Sequence, residues 1–145
     1  KQISSSLNGE RCFLTYGDGL SNVDLSQLEA FHNNHGKLAT VTAVHPAARF
    51  GELDLDGDRV LSFEEKPQLQ TGWINGGYFL LENDFFKYIS SDSIMLEREP
   101  LESATKDKNL YAFKHDGFWQ CMDTRRDHKL LEDLYQQDNP PWQKK

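Results

Sequence analysis

The chain alternates between short apolar runs that suit buried strands and stretches whose apolar residues recur at helical spacing. In RCFLTYGDG, Cys12 to Tyr16 reads as a buried strand ending in a glycine-flanked turn at Gly17-Asp18-Gly19. In VDLSQLEAFHNNHG, Leu25, Leu28, Phe31 and His35 share one helical face, with Asp24 as N-cap and Gly36 as stop. KLATVTAV follows, nearly continuous in apolar residues, as a strand covered on both faces would be. Strand, helix, strand in that order predicts a βαβ unit with a right-handed crossover.

Further along, GWINGGYFLL is strand-like with two adjacent glycines at its middle, and ENDFFKYI is a short helix. EPLESATK begins a helix with Pro100 in its first turn, where the missing N–H costs nothing. LYAFKH and GFWQCM read as two strands joined through Asp116-Gly117. DTRRDHKLLEDLYQQDNPP is an amphipathic helix with Thr124 and Asp127 at capping-box spacing, stopped by Pro140 and Pro141. The prediction is an α/β fold in one domain over 1–145, a mixed, mostly parallel sheet flanked by helices, with a β-hairpin at about 50–63.

The hairpin must be separated from a calcium loop, because GELDLDGDRVLSFEEKP fits both. Asp54, Asp56 and Asp58 take the first, third and fifth positions of a calcium-loop template, and Glu65 the twelfth. The sixth position requires glycine for a sharp turn, and Arg59 occupies it. The flanks RFGELDL and RVLSF alternate with period two, whereas such loops join helices. A hairpin turning on Asp56-Gly57 would pair Asp54 with Arg59, Leu53 with Val60 and Phe50 with Phe63, opposite charges and apolar side chains together. The hairpin is the expected structure.

Composition narrows the function. A chain of 145 residues with 37% apolar and 12% aromatic residues builds a packed domain. Its net charge of -7 offers no footprint for nucleic acid, and an anionic ligand would have to be met by a metal ion or a few placed cations. No apolar run approaches membrane length. Cys12 and Cys121 lie in apolar runs without a CxxC pattern, as reduced thiols of a cytoplasmic protein would. His32 and His35 stand three apart on a helix but lack a third metal ligand, so no zinc site is expected. TRRDHK is expected to be a solvated helix face.

Five blocks in order, TYGDG, RFGELDLDGDRVLSFEEKP, WINGGYFLLE, EREPLE and DGFWQCMDT, resemble the sugar-1-phosphate nucleotidyltransferases. TYGDGLSNVDL, HGKLATVTAV and GGYFLLE after GWIN look most like its glucose-1-phosphate cytidylyltransferase branch. The resemblance runs from about Cys12 to Trp142. Two features depart from it. The family's glycine-rich, arginine-bearing loop for the triphosphate has no match in the opening KQISSSLNGER, and Cys121 stands where the branch usually has proline.

The resemblance implies attack by the phosphate of glucose 1-phosphate on the α-phosphorus of CTP, with Mg²⁺ as cofactor, giving CDP-glucose and pyrophosphate. It implies Asp18 and Asp123 as metal ligands and Lys66 as partner of the sugar phosphate. Gly51, Glu65, Ile74, Asn75 and Gly76 would line the sugar site. Read without the resemblance, Asp18 is as readily a turn former, Asp123 a helix cap, Lys66 a surface lysine, and Gly51 and Gly76 bulge positions. Trp73 is expected to pack in the core. The chain alone is expected to be inactive, as the sugar-phosphate and metal part of such an enzyme. A different nucleotide or sugar, or a non-catalytic sugar-phosphate-binding domain, is the alternative. By the same resemblance the protein would be a cytoplasmic homo-oligomer serving polysaccharide synthesis.

Overall fold

The computed structural model describes residues 7–46, 52–64 and 72–143. The main sheet has four strands, β1 (Cys12–Thr15), β3 (Ala39–Val44), β6 (Ile74–Leu81) and β7 (Leu110–His115), in the order β1-β6-β3-β7. Among the described residues there are two smaller pairings besides. One joins β2 (Gly19–Ser21) to β8 (Trp119–Cys121), the other β4 (Glu52–Asp56) to β5 (Arg59–Glu64).

β6 is antiparallel to both β1 and β3, while β3 and β7 are parallel. Hence β1, β3 and β7 point one way and β6 runs against them, in a mixed sheet with two antiparallel pairings and one parallel. The expected βαβ unit is split, because β6 lies between β1 and β3. The physical reason is burial: Phe79, Leu80 and Leu81 of β6 are wholly buried, and an edge strand would leave such residues uncovered. By strand alternation Phe79 and Leu81 face one side and Leu80 the other. The first side packs on Phe85 of a 3₁₀ helix over Asn83–Tyr88 and on Ala104 of α2 (Glu99–Lys106).

The opposite face is covered by α1 (Leu25–His35). Asp24 caps it by accepting from the N–H groups of Ser26 and Gln27, and Gly36 ends it at φ 59°, a left-handed turn that glycine adopts without strain. The buried face differs from the expected one: Leu28 and His32 are buried, whereas Leu25 is 45% exposed. His32 is admitted because it is fully partnered. His35 Nδ1 accepts the Lys37 N–H at 2.9 Å, so its Nε2 carries the proton of the neutral ring and donates to Thr40 Oγ1 at 2.7 Å. Thr40 in turn donates to His32 Nδ1 at 2.7 Å, and His32 Nε2 donates to Glu82 Oε1 at 3.1 Å. Arg11 Nε meets that same carboxylate oxygen at 3.4 Å. The two histidines tie α1 to the sheet, as packing groups rather than metal ligands.

The β4–β5 hairpin forms where it was predicted, but its register differs. Asp56 pairs with Arg59, Leu55 with Val60 and Leu53 with Phe63, with a bulge between Asp54 and Leu55. The tight turn is Gly57-Asp58, because it needs a positive φ and Gly57 supplies it at 61°. β7 and β8 do not form the expected hairpin. After Asp116-Gly117 the chain leaves the main sheet, and β8 pairs instead with β2, a strand too short to announce itself in the pattern. α3 (Arg125–Tyr135) begins with the expected capping box, Thr124 Oγ1 accepting from the Asp127 N–H and Asp127 accepting from the Thr124 N–H. Cys12 and Cys121 are free and half-buried.

Candidate active site

Because β1, β3 and β7 share a direction, their carboxyl ends and the amino end of β6 meet along one edge of the sheet, where open α/β sheets bind ligands. β1 ends there in Tyr16-Gly17-Asp18, and the β2–β8 pairing then acts as a clasp. Gly19 pairs with Cys121, and the Met122 N–H donates to the Asp18 carbonyl at 2.8 Å. This bond sets Asp18 opposite Met122, the neighbour of Asp123, and so joins two segments distant in sequence. Asp123 directly precedes Thr124, the capping residue of α3 (Arg125–Tyr135). The Cys121 thiol donates to Asp123 Oδ2 at 3.3 Å. Burial first, then that contact with Asp123, pushes the thiol's pKa up and keeps it protonated.

β6 supplies the neighbouring wall through a wide bulge, in which Val41 pairs with Phe79 but Ala43 with Asn75. Gly76 and Gly77 sit in the bulge. A Cβ on Gly76 would come within 2.8 Å of Val44 Cγ1 and 3.0 Å of the Thr42 carbonyl. The Gly76 carbonyl accepts from Trp119 Nε1 at 2.8 Å, which ties β6 to the clasp. Asn75 Nδ2 donates to Tyr16 Oη at 3.0 Å, and Tyr16 donates to the Glu97 carboxylate. Tyr16, Gly17, Asp18 and Glu97 line an open cleft of about 480 Å³. Burial, the bond to Glu97, and the negative charges of Glu97 and Asp18 push the Tyr16 pKa up to about 12, against the opposing effect of Asn75.

Of the residues singled out in the sequence, Asp18, Asp123, Asn75 and Gly76 are drawn to this edge, and Ile74 lies beside them, 40% exposed, at the start of β6. Gly51, Glu65 and Lys66 lie outside the described residues. Trp73 is not in the core as expected. It is 38% exposed, its ring 3.9 Å from that of His45, with Lys114 Nζ 5.3 Å from the ring centre. Tyr16 and Glu97 were missed as site residues, although each stands inside a block that carried the resemblance, TYGDG and EREPLE.

The donor set suits a hard cation. Asp18 and Asp123 lie on the two segments that the clasp joins, and among the described residues no group of three or more His, Cys, Asp or Glu is arranged to hold an ion by itself. Magnesium takes one or two carboxylates and fills its remaining positions with water and phosphate oxygens, the kind of donor that Asp18 and Asp123 supply. Zinc would want a closed nitrogen and sulfur set. Among the described residues no helix is long and apolar enough to cross a membrane.

The nucleotidyl transferase family model matches residues 2–127. The glucose-1-phosphate cytidylyltransferases of Salmonella typhi and Salmonella typhimurium are each 42% identical over 143 residues, 98% of this chain and 56% of theirs. This chain thus spans about half the length of the curated relatives it matches. The crystal structure of HddC from Yersinia pseudotuberculosis is similar with a TM-score of 0.66 over 93% of this chain and 60% of that one, at 19% identity. That likeness is one of fold, the nucleotide-diphospho-sugar transferase fold. Matched by its family model over most of its length, the chain belongs to the nucleotidyl transferase family.

Proposed function

We propose that this chain is the sugar-phosphate- and metal-binding part of a glucose-1-phosphate cytidylyltransferase. The observation that carries the reading is the clasp, which sets Asp18 against Met122-Asp123 at the carboxyl end of β1 beside an open cleft. The relatives' activity supports it. In the reaction a phosphate oxygen of glucose 1-phosphate forms a bond to the α-phosphorus of CTP while the bond to pyrophosphate breaks. The substrate is its own nucleophile, so the protein need activate no serine, cysteine or histidine. Its work is alignment and charge neutralisation. Asp18 and Asp123 would hold Mg²⁺, which when bound neutralises phosphate charge. Lys66, a compact cation, partners the sugar phosphate. Glu65, Asn75 and the backbone at Gly51 and Gly76 bind sugar hydroxyls, and Ile74 packs beside them.

The test is calorimetry of glucose 1-phosphate binding in Mg²⁺. Binding should weaken about tenfold or more in Lys66→Ala, since a charged hydrogen bond contributes roughly 1.5–3 kcal/mol. Asp18→Asn should abolish its dependence on Mg²⁺. The chain alone should release no pyrophosphate from CTP. Affinity unchanged in both variants would sink the reading.

A further inference from the structure

A path of hydrogen bonds runs from Glu97 and Tyr16 in the cleft wall to Asn75 and Gly77 of β6, and its donors are fixed by elementary chemistry. Tyr16 has one hydroxyl proton and gives it to the Glu97 carboxylate, which can only accept. The Tyr16 oxygen is then left to accept, and it does so from Asn75 Nδ2 at 3.0 Å. Asn75 Oδ1 accepts the Gly77 N–H at 2.8 Å. Turning the Asn75 amide over would set its NH₂ against the N–H of Gly77, donor against donor. Glu97 at one end and Gly77 at the other therefore select one orientation of the amide between them.

Glu97 is itself on firm support. Leu96 on one side and Leu101 beyond it pack against the core, and Pro100 is buried at the start of α2. The Leu101 N–H donates to the Leu96 carbonyl at 3.2 Å, closing the turn that presents Glu97 to Tyr16.

We infer that Glu97 is a positioning residue for the sugar end of the cleft: acting through Tyr16, it holds the Asn75 amide so that its second N–H is a fixed donor to a ligand hydroxyl. This rests on the sugar 1-phosphate reading, and it adds a direction to it. A carboxylate at Glu97 repels phosphate, whereas the cation that Asp18 and Asp123 would hold in the proposed function would attract it. The ligand therefore lies with its hydroxyls toward Tyr16 and Asn75 and its phosphate toward the clasp.

The test compares Glu97→Ala, Glu97→Gln and Tyr16→Phe. The side-chain amide protons of Asn75 are followed by NMR, with affinities for glucose 1-phosphate and for inorganic phosphate in Mg²⁺. In Glu97→Ala the two Asn75 amide protons should converge and exchange faster with solvent. Glu97→Gln keeps an acceptor oxygen and should preserve most of their separation. Glucose 1-phosphate should bind about tenfold more weakly to Glu97→Ala and Tyr16→Phe, the scale of one well-placed hydrogen bond, with inorganic phosphate unaffected. Asn75 signals unchanged in Glu97→Ala would overturn the inference, as would equal losses for the two ligands. If the wild-type chain bound no glucose 1-phosphate while the Asn75 signals responded as stated, the sugar reading would fall and the Glu97–Tyr16–Asn75 coupling would stand.

Discussion

Gly77 is where the fold and the cleft are most tightly coupled, so Gly77→Ala is the most informative single change. Two costs add. Gly77 has φ 77°, in the left-handed region, where an L side chain costs about 1–2 kcal/mol. A Cβ there would also lie 2.8 Å from Tyr16 Cδ2, 3.0 Å from Cγ and 3.1 Å from Cβ. These are the near atoms of a packed ring rather than a flexible tip, and overpacking of this kind costs roughly 1–3 kcal/mol. The sum, about 2–5 kcal/mol, is a large part of the 5–15 kcal/mol typical of a domain. Urea unfolding followed by circular dichroism measures it, as a midpoint shift on the order of 1–2 M. Gly57→Ala is the control, since Gly57 has φ 61° but nothing within 4 Å of its added Cβ, and so bears only the backbone cost. In a Tyr16→Ala background most of the clash is gone, and Gly77→Ala should cost little more than Gly57→Ala. If Gly77→Ala alone costs no more than Gly57→Ala, Tyr16 does not pack against the bulge as described.

Other consequences concern the polar groups under α1. Thr40→Val removes the hydroxyl joining His32 to His35 and leaves buried ring nitrogens unpartnered, which should cost about 1–3 kcal/mol in urea unfolding. Thr42→Val is its counterpart. Among the described residues the buried Thr42 hydroxyl has no partner, so that change should be neutral or stabilising, and equal losses would refute the assignment of the network. Burial first, then the charges of His32 and Lys37, holds the His35 pKa below its ordinary value of 6.5. The unfolded chain therefore takes up this proton more readily. The His35 contribution is complete above about pH 6.5 and is lost as pH falls through the lower folded value. Urea midpoints from pH 7.5 to 5 should drop more for wild type than for His35→Gln, and parallel curves would contradict this.

Much of the fold was legible because the signals were local. Asp24 and Gly36 bound α1, Thr124 and Asp127 open α3, and Ala39–Val44 is buried almost throughout, as its composition required. What was hidden depends on pairing at a distance. Nothing within Gly19–Ser21 marks a strand until Trp119–Cys121 lies beside it, and nothing in INGGYFLL says that it divides β1 from β3. His32 was passed over because its polarity hides a buried position that Thr40 and Glu82 make tolerable. At the site, the glycines around Asp18 were visible, but Asp123 entered only through the resemblance, since the Met122 N–H that joins the two segments lies a hundred residues on. Glu97 was out of reach for the same reason: only the fold brings it to Tyr16.

In the proposed function, Asp18 and Asp123 together hold one cation at the β2–β8 clasp. Manganese in place of magnesium tests it directly, because a bound paramagnetic ion broadens nearby amide signals in an NMR spectrum of the chain. Broadening should centre on Asp18, Gly19, Met122 and Asp123 and disappear in Asp18→Asn. Broadening centred elsewhere, or unchanged by Asp18→Asn, would mean that the clasp holds no cation and that this account of the site is wrong.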